Sequence, residues 1–304
     1  MELGFIGIGR MGAEMVGRLL RNGHHHIIVY DEDTAASDSV SDKGAIQAQS
    51  ISNLITRLTP PRIIWVMVPS GENTDNTINE VANGLSQGDV IIDGGNSYYK
   101  DSIKHADLFN TKGIDFLDVG VSGGIHGGET GYSLMIGGQI SAYERLLPIF
   151  QTLAPTDETG YGHVGPAGAG HFTKMIHNGI EYGLMEAYAE GFELLQAKKD
   201  FRLDLAQISR IWSHGSIIRS WLLNLTVQIL QKDPEIGSIA PYVDDSGEGR
   251  WTIQESMDLG VPIPNLTLAL QNRFRSRQDD PYAAKLLAAM RQEFGGHSVQ
   301  NTNS

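Results

Sequence analysis

The sequence predicts a doubly wound α/β domain followed by an all-α domain, and three observations carry that expectation. Short β-branched runs alternate with amphipathic stretches through the first half of the chain. Those runs end in small or polar residues, as strands do where a parallel sheet opens onto a ligand cleft. After Gly165-Pro166-Ala167-Gly168-Ala169-Gly170 the strand signal fades and helical periodicity takes over.

In order, strands are expected at 3–8, 27–30, 63–68, 90–92 and 116–121. Each is almost continuously apolar, because a parallel sheet is covered on both faces. A long helix is expected over 171–198, with further helices behind it. The boundary is placed near 164, giving an α/β domain at 1–164 and an all-helical domain at 165–297. The 304 residues suit two domains of about 150 each. The polar, aperiodic 298–304 is expected to fray.

Composition removes several classes of function. With 23 Lys+Arg against 36 Asp+Glu the net charge is −13, which repels nucleic acid and anionic membrane surfaces. There is no cysteine, hence no disulfide framework, thiolate nucleophile or Cys-ligated metal, a composition compatible with the cytoplasm. Redox chemistry would need a borrowed cofactor. No apolar stretch approaches the ~20 residues that span a bilayer, and the N-terminal MELGFIGIGR lacks the basic start of an export signal.

Gly7-Ile8-Gly9-Arg10-Met11-Gly12 gives G-x-G-x-x-G between an expected strand and an expected helix. The first glycine permits the turn, the second lets backbone approach a pyrophosphate, and the third lets helix pack on strand. The helix N-terminus offers free N–H groups to the anion. Asp31 ends the second strand about 20 residues later, where a carboxylate holds the ribose hydroxyls of NAD. It would oppose the 2′-phosphate of NADP, since like charges about 4 Å apart cost ~4 kcal/mol at an effective dielectric near 20. NAD is therefore expected over NADP, with Arg10 a partial offset to the repulsion. Met11 and the strand ends at Val68, Pro69 and Asn96 complete the candidate cofactor contacts, all in a Rossmann-like domain. His24-His25-His26 stands in a turn where adjacent side chains point apart, so no metal site is expected.

The stretch GAGHFTKMIHNGIEYG at 168–183 carries the chemistry. From Lys174 as i, His177, Asn178, Glu181 and Tyr182 fall at i+3, i+4, i+7 and i+8, one helix face. Met175, Ile176, Ile180 and Leu184 occupy the neighbouring faces, and Gly179 and Gly183 allow close approach, so the helix is expected to be enclosed. A polar stripe on an enclosed helix calls for a ligand. Lys174 serves as a base only if burial or a nearby cation brings its pKa well below the reference of about 10.4. Glu181 on the same face could donate a proton at a later stage.

This stretch, together with FIGIGRMG, DGGNS, VSGG, GRWT and FGGH, closely resembles the decarboxylating 6-phosphogluconate dehydrogenases over residues 1 to about 297. The long members carry a duplicated helical segment, so the chain looks like the short, often NAD-linked form. The resemblance implies oxidation of 6-phosphogluconate at C3 with hydride transfer to NAD, loss of CO2 from the 3-keto intermediate, and protonation of the enediol to ribulose 5-phosphate, without a metal. It makes Lys174 the general base and Glu181 the acid that protonates C1. Asn96, Ser122, Gly123, Gly124, His177 and Asn178 match residues that hold the sugar acid, and Tyr182 and Arg273 match phosphate contacts. Arg291 and His297 match a tail Arg and His that reach a neighbouring subunit's site, implying a homodimer or homotetramer.

Two departures bear on specificity. Asp245-Ser246-Gly247-Glu248-Gly249-Arg250-Trp251 places Ser246 and Glu248 where long members carry a phosphate-binding lysine and threonine. Tyr30-Asp31-Glu32 lacks the Arg-Thr pair of NADP-linked members, which favours NAD. Two rival readings remain: a β-hydroxyacid dehydrogenase acting on a small unphosphorylated acid, and a non-catalytic NAD-sensing protein.

Overall fold

The first half of the chain builds one eight-stranded sheet, and its strand order explains where a ligand can sit. The computed structural model describes residues 1–23 and 25–300. It divides into two units, Met1–Asn178 and Gly179–Ser304. In the first, β1 (Glu2–Ile6), α1 (Arg10–Asn22), β2 (His26–Tyr30), α2 (Thr34–Ser41), β3 (Ile46–Gln47), α3 (Ile51–Thr56), β4 (Ile63–Val66), α4 (Glu72–Gly84), β5 (Val90–Asp93) and α5 (Tyr99–Asn110) follow in turn. Next come β6 (Asp115–Ser122), a short α6 (Gly127–Thr130), β7 (Ser133–Gly138), α7 (Ile140–Leu153) and β8 (Tyr161–Gly165). The order across the sheet is β3-β2-β1-β4-β5-β6-β7-β8, parallel except for the antiparallel β6–β7 pair. The strand order reverses between β1 and β4, and the carboxyl ends on either side of that point form a crevice.

The strands read as unbroken apolar runs because alternate residues serve two cores. Leu3, Phe5, Ile27, Val29, Trp65 and Ile92 pack with Met15, Leu19 and Phe150 of α1 and α7. Ile6, Ile28, Ile64, Val66 and Ile91 pack on the other face with Leu54, Ile78, Val81 and Phe109 of α3, α4 and α5. Trp65 is fully buried, stacked on Phe5 and edge-on to Phe150.

The expected strands all form, and the expected ends shift for local reasons. The first stops at Ile6 because Gly7 takes φ +94, a left-handed conformation that ends a strand and suits glycine. β3, β7 and β8 were not expected. β3 has two residues, too few for a periodicity, and β7 and β8 are interrupted by Gly137, Gly138 and Gly162.

The helix expected at 171–198 is α8 (Ala169–Ala197), and the two compact units divide within it, after Asn178. Its first turns lie on the sheet: a Cβ on Gly120 of β6 would stand 2.4 Å from the Lys174 Cβ, so only glycine admits the helix there. The second unit continues with α9 (Leu205–Ser213), α10 (Trp221–Lys232), α11 (Glu248–Leu259), α12 (Pro264–Ser276) and α13 (Tyr282–Gly295). Enclosure of α8 holds for only part of its length. Lys174 and Met175 are buried, whereas Ile180, Leu184 and Met185 are exposed. No helix among the described residues is long and apolar enough to cross a membrane.

Candidate active site

A cavity of about 570 Å³ opens at the carboxyl ends of β1, β2, β4 and β5. All nine residues expected to touch the cofactor line it: Gly7, Gly9, Arg10, Met11, Gly12, Asp31, Val68, Pro69 and Asn96. Met67, Asn73 and Thr77 also line it, and nothing in the sequence singled them out. A Cβ on Gly9 would meet nothing within 4 Å, so its backbone faces open space, and no side chain caps the start of α1. Asp31 is fixed from two sides, accepting from the Ile8 N–H on Oδ2 at 2.6 Å and from the Asp33 N–H on Oδ1 at 2.8 Å. An uncapped helix N-terminus and an oriented carboxylate beside Glu32 fit a dinucleotide whose adenosine ribose carries free hydroxyls.

The second group of residues stands where α8 meets the end of β6. Asn96, with φ 54, donates from Nδ2 to the Val121 carbonyl and accepts from the Val121 N–H, tying the β5 loop to β6. Ser122 follows, its Oγ 3.3 Å from His177 Nε2. His177 Nδ1 lies 3.4 Å from Lys174 Nζ and 3.1 Å from Asn178 Oδ1. Ser122, His177, Lys174 and Asn178 thus form one connected set, with Gly123 and Gly124 continuing the loop. A single Nδ1 serves both Lys174 and Asn178. When it carries a hydrogen it donates to Asn178 Oδ1, and when bare it accepts from a lysine N–H.

Sequence reasoning missed the groups that brace this loop. Arg18 of α1 donates from Nε, Nη1 and Nη2 to the carbonyls of Thr152, Glu129 and Ala154, and Arg21 donates to the Gly128 carbonyl. The helix that opens the dinucleotide crevice therefore also holds the segment after Gly124. Of the histidine triplet, His25 bonds Thr152 Oγ1 and His26 pairs with Glu2, while His24 lies outside the described residues.

In the second unit, Tyr182 is buried against Ala269 and Leu270. The Arg273 guanidinium lies 3.6 Å from the centroid of its ring and donates to the Asp244 carbonyl. Tyr182 OH accepts from the Ser246 N–H at 3.2 Å, and Ser246 Oγ donates to Glu248. Asp245 is only 4% exposed and binds both Arg250 and Arg277. Hydrogen bonds from those guanidinium groups, Arg250 first, bring its carboxyl down to about 2. Two arginines are thereby engaged by one carboxylate, and Arg273 stands on Tyr182. Arg291 lies on α13, and both it and His297 beyond that helix are exposed. Glu181, half-buried, begins the α8 turn that carries Tyr182.

Residues 2–165 match the family described as the NAD binding domain of 6-phosphogluconate dehydrogenase. Residues 170–284 match the C-terminal domain of 6-phosphogluconate dehydrogenase. The chain belongs to the 6-phosphogluconate dehydrogenase family. It is 41% identical over 300 residues to the NAD(+)-dependent, decarboxylating 6-phosphogluconate dehydrogenase of Haloferax volcanii, covering 98% of both chains. Its structure is similar to 6-phosphogluconate dehydrogenase of Plasmodium falciparum, at a TM-score of 0.83 and 26% identity, over 100% of this chain and 67% of that one. A 3-hydroxyisobutyrate dehydrogenase of Mycobacterium tuberculosis shares the fold, at a TM-score of 0.73 and 20% identity.

Proposed function

We propose that this protein is an NAD-dependent enzyme that oxidises and decarboxylates 6-phosphogluconate to ribulose 5-phosphate and CO2. Family membership supports the reaction, and one observation carries it to these residues: a buried lysine, a histidine and a serine joined next to Val121, which is bonded to Asn96 of the dinucleotide crevice. Gly7, Gly9, Gly12 and Asp31 would hold NAD, which would supply the hydride acceptor for C3. Lys174 takes the C3 hydroxyl proton, which it can do only as the free amine, whose lone pair is the acceptor. Returned to the C3 oxygen, that proton favours loss of the carboxylate as CO2. Glu181 then supplies a proton to the carbon that becomes C1. Ser122, Gly123, Gly124, His177, Asn178 and Asn96 hold the carboxylate and hydroxyls.

Tyr182 and Arg273 are assigned to the phosphate, supported by the guanidinium stacked on the tyrosine ring. A homo-oligomer that brings Arg291 and His297 to a neighbouring copy belongs to the same proposal, supported by the exposed apolar Ile180, Leu184, Met185 and Leu194 of α8. So does a cytoplasmic location, in keeping with the cysteine-free composition.

The phosphate assignment has a direct test. Arg273→Met keeps an unbranched apolar side chain and removes the guanidinium stacked on Tyr182, and is expected to raise the KM for 6-phosphogluconate by about 100-fold, the worth of one charge-assisted contact of roughly 3 kcal/mol. Steady-state kinetics should show the KM for NAD unchanged. Equal loss for both ligands would place Arg273 in the fold rather than on the phosphate.

A further inference from the structure

Asp118, midway along β6, is completely buried and has no part in the reaction described above. It accepts the Gly168 N–H on Oδ1 at 2.7 Å and the His171 N–H on Oδ2 at 2.8 Å. These donors belong to the segment that opens α8, so both oxygens of one carboxylate take up N–H groups that a helix start leaves without partners. Burying a carboxylate is costly, and two aligned N–H donors at the positive end of a 29-residue helix offset that cost. The register partner of Asp118 on β5, Asp93, is equally buried and does a similar job on the neighbouring loop, accepting the Gly95 N–H.

The contacts of α8 with β6 repeat along the strand. A Cβ on Gly170 would meet the Asp118 carbonyl oxygen at 2.3 Å, and one on Gly120 would meet the Lys174 Cβ at 2.4 Å. Two residues further on, Ser122 reaches His177. Four residues of strand, ~13 Å, run beside the turns of α8 from its start to His177, about 11 Å of helix. Two bonds to one rigid carboxylate fix both the axial position and the rotation of the helix, where a single cap would leave rotation free. Ser102 Oγ, bonded to His171 Nδ1 at 2.8 Å, holds the same turn from α5.

We propose that Asp118 is a positioning residue: it sets the register of α8 on β6 and so places Lys174 and His177 against Ser122 and the cofactor crevice. The proposal rests on the reading of Lys174 as the base.

The test is Asp118→Asn, which keeps the shape but turns an NH2 group toward a backbone N–H. Turnover is measured per NAD-binding site, so that any unfolded fraction drops out, and amide exchange is followed across 168–178. The expected result is a kcat lower by about 10- to 100-fold, the effect of a displacement near 1 Å, with the KM for NAD within about twofold of the parent. Exchange at 168–174 should accelerate by about tenfold or more. Asp118→Ser, which keeps one acceptor, is read in the same way if Asp118→Asn does not fold. Unchanged kcat per site, or unchanged exchange, overturns the proposal, even if the melting temperature falls. A parent protein inactive on 6-phosphogluconate would refute the reaction instead, and the exchange result would then decide the hold of Asp118 on α8.

Discussion

Lys174→Met is expected to reduce kcat by about 1,000-fold or more while NAD binding stays within about twofold of the parent. The side chain is 6% exposed, its stem lies on Gly120, and its nitrogen stands 3.4 Å from His177 Nδ1. Methionine fills the same channel with a similar volume, so the loss reports the amine and not a cavity. The cofactor crevice contains no atom of Lys174 among its lining residues, so titration with NADH should be undisturbed. Pre-steady-state kinetics should show the burst of NADH lost as well, because the C3 hydroxyl gives up its proton as the C3 carbon gives up its hydride. A variant that retains turnover within tenfold would remove Lys174 from the chemistry and favour a purely structural lysine.

Replacing Asp31 by Ser together with Glu32→Arg is expected to shift the ratio of kcat/KM for NADP over NAD by at least about 100-fold. The carboxylate is aimed by two backbone N–H groups, so a ligand phosphate beside it meets a fixed like charge. That repulsion is up to about 4 kcal/mol at 4 Å and an effective dielectric near 20, and half of it corresponds to roughly 30-fold in affinity. The new arginine adds an attraction of similar order. Part of the gain comes from weaker NAD binding, since Asp31 also joins the end of β2 to the turn before α1. Kinetics with both cofactors at saturating substrate measure the ratio, and an unchanged preference would mean that Asp31 serves the turn alone.

The cofactor crevice was legible because its parts are close in sequence. Gly7 to Gly12 and Asp31 obey a local rule in which a turn, a helix start and a strand end each fix their own residue type. The α8 stripe was legible from helical spacing alone, and the structure joins Lys174, His177 and Asn178 as that spacing suggests, whereas Ser122 entered only through the resemblance. Arg18 illustrates what was not legible. Its partners are carbonyls more than 100 residues away, and backbone oxygens leave no mark in a sequence. Asp118 did leave a mark, a carboxylate inside the apolar run Phe116-Leu117-Asp118-Val119, but its meaning needed the N–H groups of Gly168 and His171 beside it. Strand β7 was hidden by Gly137 and Gly138, which close contacts require, and β8 by Gly162, and the exposed Ile180 and Leu184 defeated the expectation that α8 is enclosed throughout.

Glu248 shows how a departure in sequence resolves into an arrangement. Its carboxylate takes the Ser246 hydroxyl, and Asp245, not Glu248, engages Arg250 and Arg277. Arg273 is left as the guanidinium on Tyr182.

The most direct measurement is the yield of CO2 and NADH from 6-phosphogluconate and NAD in one vessel, with gluconate and 3-hydroxyisobutyrate as parallel substrates. One CO2 per NADH from 6-phosphogluconate, and little turnover of the unphosphorylated acids, is the expected result. NADH without CO2, or faster oxidation of an unphosphorylated acid, would contradict the assignment of this site to oxidative decarboxylation of the phosphorylated sugar acid.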